Sequence, residues 1–164
     1  MLIRDAEAAD WPAVWPIFRA VTAAGDTYTY PRDLAPDVAR SWWMLDAPGR
    51  TVVAVDDDGA VVGTAKMNPN QAGGGSHVAS ASFMVAPGHR RRGVGRALGE
   101  HALAWARAEG YRGMQFNAVV EANTPAVALW HSLGFAVVGT VPEGFRLPDG
   151  TYTGLLVMYQ RLRD

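Results

Sequence analysis

Apolar residues in the N-terminal part of the chain recur at two spacings. Leu2 to Asp5 alternates as a short strand does, whereas the run after Asp10 places apolar residues three or four positions apart, as on one helix face. Pro12 in the first turn and Gly25 at the end bound this helix, with Asp10 as its expected cap. A second helical run begins near Pro36. These segments predict a strand followed by two helices.

The middle and C-terminal parts alternate between strand and helix periods. Residues 51–55 and 61–66 flank an Asp-Asp-Asp-Gly turn and predict a β-hairpin, and the glycine-rich residues 71–75 then predict a flexible linker. The elements predicted after it are a strand over 78–85, a helix through Leu98, Leu103 and Ala106 that ends at Gly110, a strand over 114–119, a helix over 124–133, and strands over 135–141 and 152–159.

This order of elements indicates an α/β fold. A strand, a crossover helix and a further strand make a parallel pair, whereas the hairpin strands are antiparallel. We therefore expect a mixed, mostly antiparallel sheet with a parallel central pair and helices on both faces. The length of 164 residues fits one domain over residues 1–164, and the sequence contains no internal repeat.

A basic turn with two glycines, residues 89–98, lies between the strand that ends at Val85 and the next helix. The first N–H groups of a helix have no intrahelical partner and carry the positive end of the helix dipole, so they attract anions. Gly93 and Gly95 lack the Cβ atoms that would keep a ligand away from these N–H groups. The arginines of the turn add donors suited to phosphate oxygens. The turn therefore predicts a phosphate site.

Two familiar phosphate motifs do not match this turn. A P-loop has Lys and then Ser or Thr after its last glycine, whereas Arg96 and Ala97 follow Gly95. A dinucleotide fingerprint has its third glycine three residues after the second, whereas Gly99 comes four residues after Gly95. A solvated basic helix start without a ligand is the remaining alternative.

Composition and charge limit the functional classes. A formal net charge of −1 excludes the overall basic surface of a general nucleic-acid binder. The absence of cysteine excludes disulfides, thiolate metal sites and a cysteine nucleophile, and the histidines lack metal-ligand spacing. Because no apolar run is long enough to span a bilayer and the N-terminus does not have the pattern of a signal peptide, we expect a cytoplasmic protein with no membrane, nucleic-acid or metal partner.

Two segments together resemble the GNAT N-acetyltransferase superfamily. They are Val85-Ala86-Pro87 followed by Arg90, Gly93 and Gly95, and Asn123-Thr124-Pro125-Ala126 through Leu129-Trp130 to Leu133-Gly134-Phe135. The likeness extends over most of the chain, because the order of elements also matches. It implies an acyltransferase that uses acetyl-CoA and whose two central strands splay apart at the cofactor.

The resemblance also implies roles for individual residues. The turn from Arg90 to Ala97 would wrap the pyrophosphate of coenzyme A, while Val85 and Ala86 would offer backbone groups to the pantetheine arm and the acetyl carbonyl. Asn123 would bind the pantetheine amides, with a purely capping role at the next helix as the alternative. The expected cofactor-binding residues are Val85, Ala86, Pro87, Arg90, Arg91, Arg92, Gly93, Val94, Gly95, Arg96, Ala97, Asn123, Ala126 and Trp130.

The chain departs from the family at Trp130, where many members have a tyrosine that protonates the leaving thiolate. An indole N–H is no general acid at neutral pH, so this acid is missing. The replacement acids to consider are water, His131, Tyr28, Tyr30 and Tyr152. Without a cysteine for a covalent intermediate, we expect direct transfer of the acetyl group.

Acetyl transfer to an amine also needs an oxyanion donor and a base. The N–H of Val85 is the expected donor. The candidate bases are Glu121, His77, His131 and a water chain, and Glu121 is favoured because it directly follows the central strand. An ordinary solvated carboxylate is the alternative for Glu121.

A narrower likeness concerns the acceptor. The chain is similar to fungal acetyltransferases of L-azetidine-2-carboxylate and other proline analogues at Ser76-His77, Phe83, Val85, Gly93-Val94-Gly95-Arg96, Gly99-Glu100, Gly110-Tyr111, Phe116-Asn117, Glu121, Asn123, Trp130, Leu133-Gly134-Phe135 and Gly139. In those enzymes an Asn at the position of Asn117 holds the substrate, and a second Asn stands where this chain has Ser80. The expected acceptor-binding residues are Tyr28, Tyr30, Trp43, Ser80 and Asn117, of which Asn117 is also expected to be catalytic.

These observations predict an enzyme that transfers acetyl from acetyl-CoA to the amine of a small molecule, such as an amino acid or a proline analogue. The alternatives are acetylation of protein or peptide amines, and a non-catalytic domain that senses coenzyme A. A homodimer is compatible with the sequence. Core packing or a dimer contact would explain Trp42 and Trp43 as well as an acceptor pocket does.

Overall fold

The computed structural model describes residues 1–163. Its helices and strands are β1 Leu2–Asp5, α1 Trp11–Ala24, α2 Pro36–Trp43, β2 Arg50–Val55, β3 Val61–Pro69, β4 Val78–Val85, α3 Val94–Ala108, β5 Gly113–Val120, α4 Thr124–Ser132, β6 Ala136–Arg146 and β7 Tyr152–Arg161. Over this range, each helix is too short or too polar to cross a lipid bilayer.

In this part of the chain the strands form a single sheet in the order β1-β2-β3-β4-β5-β7-β6. Neighbouring strands are antiparallel, except that β4 and β5 are parallel and are connected by α3. Helices α3 and α4 pack on one face over Leu98, Met114 and Phe116, and α1 and α2 pack on the other over Val53 and Met84. The predicted fold class is therefore confirmed.

Two glycines allow the helices next to the site to approach their neighbours closely. A Cβ atom at Gly63 of β3 would lie 2.7 Å from Val94 Cγ1, so the glycine brings the start of α3 onto the sheet. A Cβ atom at Gly99 would lie 2.7 Å from Leu133 Cδ1, so this glycine brings α4 onto α3. The start of α3 is consequently held against the C-terminal end of β4.

Three local predictions were wrong. Residues 71–75 are not a flexible linker, because Gly73–Gly75 forms a 3₁₀ turn closed by a 3.1 Å hydrogen bond from Ser76 N–H to the Gly73 carbonyl. Strand β6 continues to Arg146, beyond the predicted end, because its pairing with β7 resumes after an irregularity. Asp10 makes no side-chain cap to α1, since its carboxylate binds Arg4 and the Glu7 N–H group.

The Arg4–Asp10 pair makes stability depend on pH. Hydrogen bonds from the Arg4 side chain hold the pKa of Asp10 below its ordinary value, so the pair stabilises the fold above the unfolded pKa, and this stability is lost as pH falls through the folded pKa. We expect Asp10→Asn to lower the urea unfolding free energy at neutral pH, and the difference from wild type to disappear as pH falls through the folded pKa of Asp10. Asp58→Asn, at an exposed turn, is the control; a pH-independent effect of Asp10→Asn would contradict the assignment.

The parallel strands β4 and β5 separate soon after they begin. Their pairing is confined to Val78 with Gly113 and Ala79 with Met114. Beyond this point the rings of Phe83, Phe116 and Trp130 fill the space beneath the gap, with centroids 4.8 to 5.7 Å apart. An irregularity in the β5–β7 register between Phe116 and Val119 bends β5 at the same level. The aromatic cluster and this bulge therefore keep the gap open.

Candidate active site

A cleft of about 940 Å³ opens where β4 and β5 separate. Its walls come from these two strands, the basic turn and first turn of α3, the start of α4, and the loop 26–30 after α1. Leu147, which follows β6, closes one side. The size is in the range of pockets that hold ligands as large as a nucleotide cofactor.

The basic turn forms one end of this cleft. Arg91 and Gly93 both have left-handed backbone, with φ of +62° and +83°, which turns the chain into α3 at Val94. Such turns direct successive N–H groups to one side and make concave anion sites. A Cβ atom at Gly95 would lie 3.4 Å from Leu129 Cδ2 and 3.8 Å from Val85 Cγ2, so this helix start is open toward the cleft.

The arginines of the turn are not equivalent. Arg90 and Arg91 line the cleft, and neither has an ion-pair partner within residues 1–163. Arg96 also lines it, but its guanidinium donates to Ser132 Oγ at 2.8 Å and lies 3.5 Å from the carboxylate of Glu100. Arg90 and Arg91 are therefore the cations most available to an anion.

Five of the expected cofactor residues do not line the cleft, and they are Ala86, Pro87, Arg92, Val94 and Ala97. The N–H of Ala86 is bonded to the Val62 carbonyl at 2.9 Å, so it belongs to the β3–β4 pairing. Val94 is buried against Gly63. The predicted contacts of these five residues with the cofactor are therefore not supported by the lining of the cleft.

Alternate residues of β4 direct their backbone groups into the gap. Ala86 N–H pairs with β3, whereas Phe83 N–H donates to the Tyr28 hydroxyl at 2.8 Å and the Phe83 carbonyl accepts from it at 2.7 Å. Because backbone groups alternate along a strand, Val85 faces the gap as Phe83 does. The Val85 N–H and carbonyl therefore face the cleft, as predicted.

Helix α4 contributes its N-cap and one aromatic side chain. The Asn123 side chain lines the cleft and accepts a hydrogen bond from Ala126 N–H at 3.4 Å, so it caps α4 while it faces the cleft. Ala126 and Trp130 also line the cleft. Trp130 is 8% exposed and packs on Phe83 and Phe116, which gives it a packing role beneath the gap.

The predicted acceptor side chains lie on the sheet face that α1 covers. Ser80 and Asn117 line the cleft, and Ser80 is opposite Asn68 in the β3–β4 register. The Asn117 amide donates to Asn70 Oδ1 at 2.6 Å, and its oxygen accepts from Gln115 at 2.8 Å. This amide cluster fixes the orientation of Asn117 and leaves one of its N–H groups for a ligand.

Trp43 and Glu121 are not part of this cleft. Trp43 is fully buried and donates to Thr64 Oγ1 at 3.0 Å, so it belongs to the core and the prediction of an acceptor contact was wrong. The Glu121 carboxylate instead accepts from Gly154 N–H at 3.2 Å. His77 and His131 are also absent from the lining, and His131 contacts the Phe135 carbonyl at 3.0 Å. The geometry therefore supports none of these three as the base.

Sequence reasoning missed two polar residues of the site. Asp26 lines the cleft next to Tyr28 and is the only carboxylate among its lining residues in the described range. Asn70, which holds Asn117, precedes the glycine-rich segment. The turn after Gly25 was a signal for Asp26, because polar residues in a loop beside aromatic ones often contact ligands. No comparable signal marked Asn70.

A second cavity of about 270 Å³ adjoins the acceptor end of the cleft and shares Tyr28, Thr29 and Tyr30 with it. Arg32 and Arg146 line this cavity, and neither has an ion pair within residues 1–163. The Arg32 guanidinium lies directly over Gly25, whose φ is +67°, so a Cβ atom there would collide with it. The cavity is therefore lined by two cations without a carboxylate partner.

This combination of splayed strands, glycine turn and Asn-capped helix has a counterpart among known proteins. Residues 11–135 match the model of the acetyltransferase (GNAT) family. The chain belongs to the GNAT family. A GCN5-related N-acetyltransferase from Kribbella flavida has a similar structure, with a TM-score of 0.95 and 57% identity over 98% of this chain and 97% of that one. The structure of yncA from Salmonella typhimurium with acetyl-CoA gives a TM-score of 0.88 and 25% identity over 100% and 95%.

Two relatives extend this comparison of the GNAT chain. The N-acetyltransferase aca1 of Schizosaccharomyces pombe is 32% identical over 101 residues, which are 62% of this chain and 48% of that protein. The L-methionine sulfoximine/L-methionine sulfone acetyltransferase of Salmonella typhimurium is 26% identical over 145 residues, 87% of this chain and 84% of that protein. The chain spans about half the length, or less, of the first curated relatives that it matches.

The GNAT family and its acetyl-CoA-bound neighbour identify acetyl-CoA as the cofactor, and the cleft fits it. The glycine turn could hold the pyrophosphate with its open N–H groups and with Arg90 and Arg91, which have no ion-pair partner within residues 1–163. The exposed edge of β4 could bind the amides of the pantetheine arm through the backbone groups of Val85. Asn123 faces the same channel from the opposite wall.

Proposed function

We propose that the protein is an N-acetyltransferase that moves acetyl from acetyl-CoA to the α-amine of a small amino acid. The observation that carries this proposal is the cavity lined by Arg32 and Arg146, which joins the acceptor end of the cleft through the wall of Tyr28, Thr29 and Tyr30. Two guanidinium groups that make no ion pair within the described residues are suited to a carboxylate. An acceptor with a carboxylate beside its amine would use both the cavity and the cleft.

The donor is held by residues that the sequence singled out. Arg90, Arg91 and the N–H groups that start α3 bind the pyrophosphate, and Gly95 allows it to approach the backbone. Val85 pairs with the pantetheine arm across the gap, and Asn123 binds an amide of the arm from the α4 side. Bound acetyl-CoA supplies an activated carbonyl group, while the protein supplies position and hydrogen bonds.

The acceptor enters from the face that carries Ser80 and Asn117. Asp26 attracts the ammonium group and accepts its proton, directly or through a water, because an amine attacks only in its neutral form. Arg32 and Arg146 hold the carboxylate at the other end. The remaining N–H of Asn117 orients polar atoms between these charges. Ammonium and carboxylate thus meet opposite charges at the two ends of the site.

Within this class, proline analogues are the narrower proposal. The likeness to fungal azetidine-carboxylate acetyltransferases and the match with aca1 support it, as does the place of Asn117 in the cleft. Ser80 in place of a second Asn removes one amide from the acceptor surface. Open-chain amino acids resembling methionine sulfone are the neighbouring proposal, supported by the Salmonella relative.

The test compares acceptors that differ only in the carboxylate. Thiol release from acetyl-CoA is measured with proline, azetidine-2-carboxylate and methionine sulfone, each alongside its carboxamide. We expect at least one acid to be acetylated with a kcat/KM about 10-fold or more above that of its amide. Equal rates for acid and amide would contradict carboxylate recognition, and turnover of peptide amines alone would show a protein acceptor.

Arg146→Gln tests the cavity itself. The variant removes one cation of the cavity from an exposed position, so we expect the fold to be kept and the acceptor KM for the acid to rise about 10- to 100-fold. The KM for the amide and for acetyl-CoA should stay within about threefold. Arg112→Gln, which removes an arginine that does not line the cavity, is the matched control. An acid KM unchanged by Arg146→Gln would refute the role of the cavity.

A further inference from the structure

The Tyr28 hydroxyl binds the backbone of one residue, Phe83, on the exposed edge of β4. Its oxygen accepts from Phe83 N–H at 2.8 Å and its proton is donated to the Phe83 carbonyl at 2.7 Å. Tyr28 belongs to the loop after α1, and its ring packs edge-on against Trp43 and stacks on Tyr30. The hydroxyl therefore satisfies, from outside the sheet, the backbone pair that β5 would satisfy if the strands stayed together.

The pantetheine arm of acetyl-CoA is long enough to bring the thioester to the contact between Tyr28 and Phe83. The arm between pyrophosphate and sulfur has about twelve bonds, as many as four residues of extended chain, so it spans roughly 13–14 Å. Val85 lies beside Gly95, where the pyrophosphate binds, with its Cγ2 3.8 Å from a Cβ atom built there. Each step of two residues along β4 covers roughly 6.7 Å. Phe83 is one such step from Val85, so the extended arm is long enough to carry the thioester past Val85 to the level of Phe83.

We propose that the Tyr28 hydroxyl is a second hydrogen-bond donor to the acyl oxygen during acetyl transfer, beside the backbone N–H group of Phe83. Before acetyl-CoA binds, the hydroxyl accepts from the Phe83 N–H group and donates to the Phe83 carbonyl. When acetyl-CoA binds, the hydroxyl rotates its proton toward the acyl oxygen, while the N–H group, which is fixed in its peptide plane, already points into the gap. The Val85 N–H group, which the sequence analysis expected to be the oxyanion donor, then binds the pantetheine arm instead. This inference rests on the acetyl transfer proposed above, but not on the identity of the acceptor.

The two donors match the charge that develops in the reaction. As the amine nitrogen forms its bond to the carbonyl carbon, the π electron pair moves to the acyl oxygen, where both hydrogen bonds strengthen. The pair returns as the carbon–sulfur bond breaks, and the thiolate leaves with the electron pair of that bond. The nitrogen loses its proton as the amide forms, and this proton reaches the thiolate through water, so the products are the amide and the thiol of CoA.

The surroundings keep Tyr28 in its neutral, donating form. Burial raises the pKa of the Tyr28 hydroxyl well above its ordinary value, and the neighbouring Tyr30 raises it further. The phenol is consequently a hydrogen-bond donor that does not titrate near neutral pH. Such a donor stabilises the negative charge that develops on the acyl oxygen. It does not supply the proton that a tyrosine at the Trp130 position would give to the leaving thiolate.

The experiment compares Tyr28→Phe with Tyr111→Phe. Tyr111 packs on Trp105 at 5.1 Å between ring centroids and does not line the cleft, so its variant controls for the loss of a phenol hydroxyl. Calorimetry measures the affinity for acetyl-CoA and for free CoA, and thiol release gives kcat with the best acceptor. Tyr28→Phe should lower kcat about 100-fold, and its affinity for free CoA should stay within about threefold of wild type.

A second readout does not depend on turnover. The acyl oxygen is present only in acetyl-CoA, so Tyr28→Phe should lower the ratio of acetyl-CoA to CoA affinity about 3- to 10-fold. In the wild type, the infrared carbonyl stretch of bound ¹³C-labelled acetyl-CoA should shift to lower frequency than in water, a measurement that needs no variant to fold.

The pH profile of kcat should keep its shape in Tyr28→Phe. Loss of the basic limb of this profile would show that Tyr28 donates a proton and would refute the proposed role.

Three other results would overturn the proposal. They are a kcat of Tyr28→Phe within threefold of wild type, an unchanged affinity ratio, and a carbonyl stretch in the wild type equal to that in water. Failure of the wild type to bind acetyl-CoA or to acetylate any amine would instead refute the acetyl transfer on which the inference rests. The two failures are therefore distinguishable.

Discussion

Gly95→Glu is expected to abolish binding of acetyl-CoA while leaving the fold intact. The glycine lies in the first turn of α3, without a positive φ, so glutamate suits its backbone better than glycine does. The new side chain would project into the cleft between Val85 and Leu129 and bring a negative charge to the anion site. Like charges held together cost several kcal/mol, so calorimetry should show affinity at least about 1,000-fold weaker.

Two companion variants separate charge from volume. Gly95→Ala adds only the Cβ atom, 3.4 Å from Leu129 Cδ2, and should weaken binding about 10-fold. Gly139→Glu adds the same charge in β6, where a Cβ atom meets nothing within 4 Å, and should stay within about threefold of wild type. Unchanged affinity in Gly95→Glu, or equal losses in Gly95→Glu and Gly139→Glu, would show that the pyrophosphate binds elsewhere.

The donor half of the site could be predicted from sequence because its chemistry is local. A glycine turn, a helix start and flanking arginines are contiguous, so the N–H groups of the turn lie together whatever the rest of the chain does. Even here the side chains diverge. Val94 is buried in the core and Arg92 does not line the cleft, although both lie within the turn and the helix start that the sequence singled out.

The acceptor half could not be predicted in the same way because it is assembled from distant segments. Asp26 follows α1, Asn70 follows β3, and Arg146 ends β6, so only the folded sheet brings them to one side. For Glu121, in contrast, the sequence suggested a catalytic position that the folded structure does not support. This residue directly follows a central strand, as a catalytic residue often does, yet its carboxylate turns to Gly154 of β7. One residue of register decides which face a side chain takes.

The two halves meet at Tyr28, whose hydroxyl contacts the donor strand and whose ring forms the acceptor wall. The ring is supported by Trp43, the residue that the sequence placed in the acceptor pocket. Trp43 therefore affects the site through packing, one layer below the surface that a ligand contacts. This distinction between a supporting residue and a contact residue can be measured.

Trp43→Ala should destabilise the fold by about 4–5 kcal/mol in urea unfolding, near the upper end for a buried tryptophan. The side chain is fully buried and packs edge-on against Phe18 at 5.7 Å. Its loss also removes the 3.0 Å hydrogen bond to Thr64, a residue that is itself completely buried. Trp42→Ala is the matched control, because this neighbour is 41% exposed, and it should cost less than about 1 kcal/mol.

Trp43→Phe separates support from contact, since it keeps an aromatic ring and gives up the N–H group. We expect it to cost about 1–3 kcal/mol, because the buried Thr64 hydroxyl loses a partner. The acceptor KM should remain within about threefold, since Trp43 does not reach the cleft surface. A rise of about 10-fold or more in the acceptor KM of the folded Trp43→Phe enzyme would show that Trp43 contacts the acceptor. Equal losses of stability in Trp42→Ala and Trp43→Ala would contradict the assigned packing of α2.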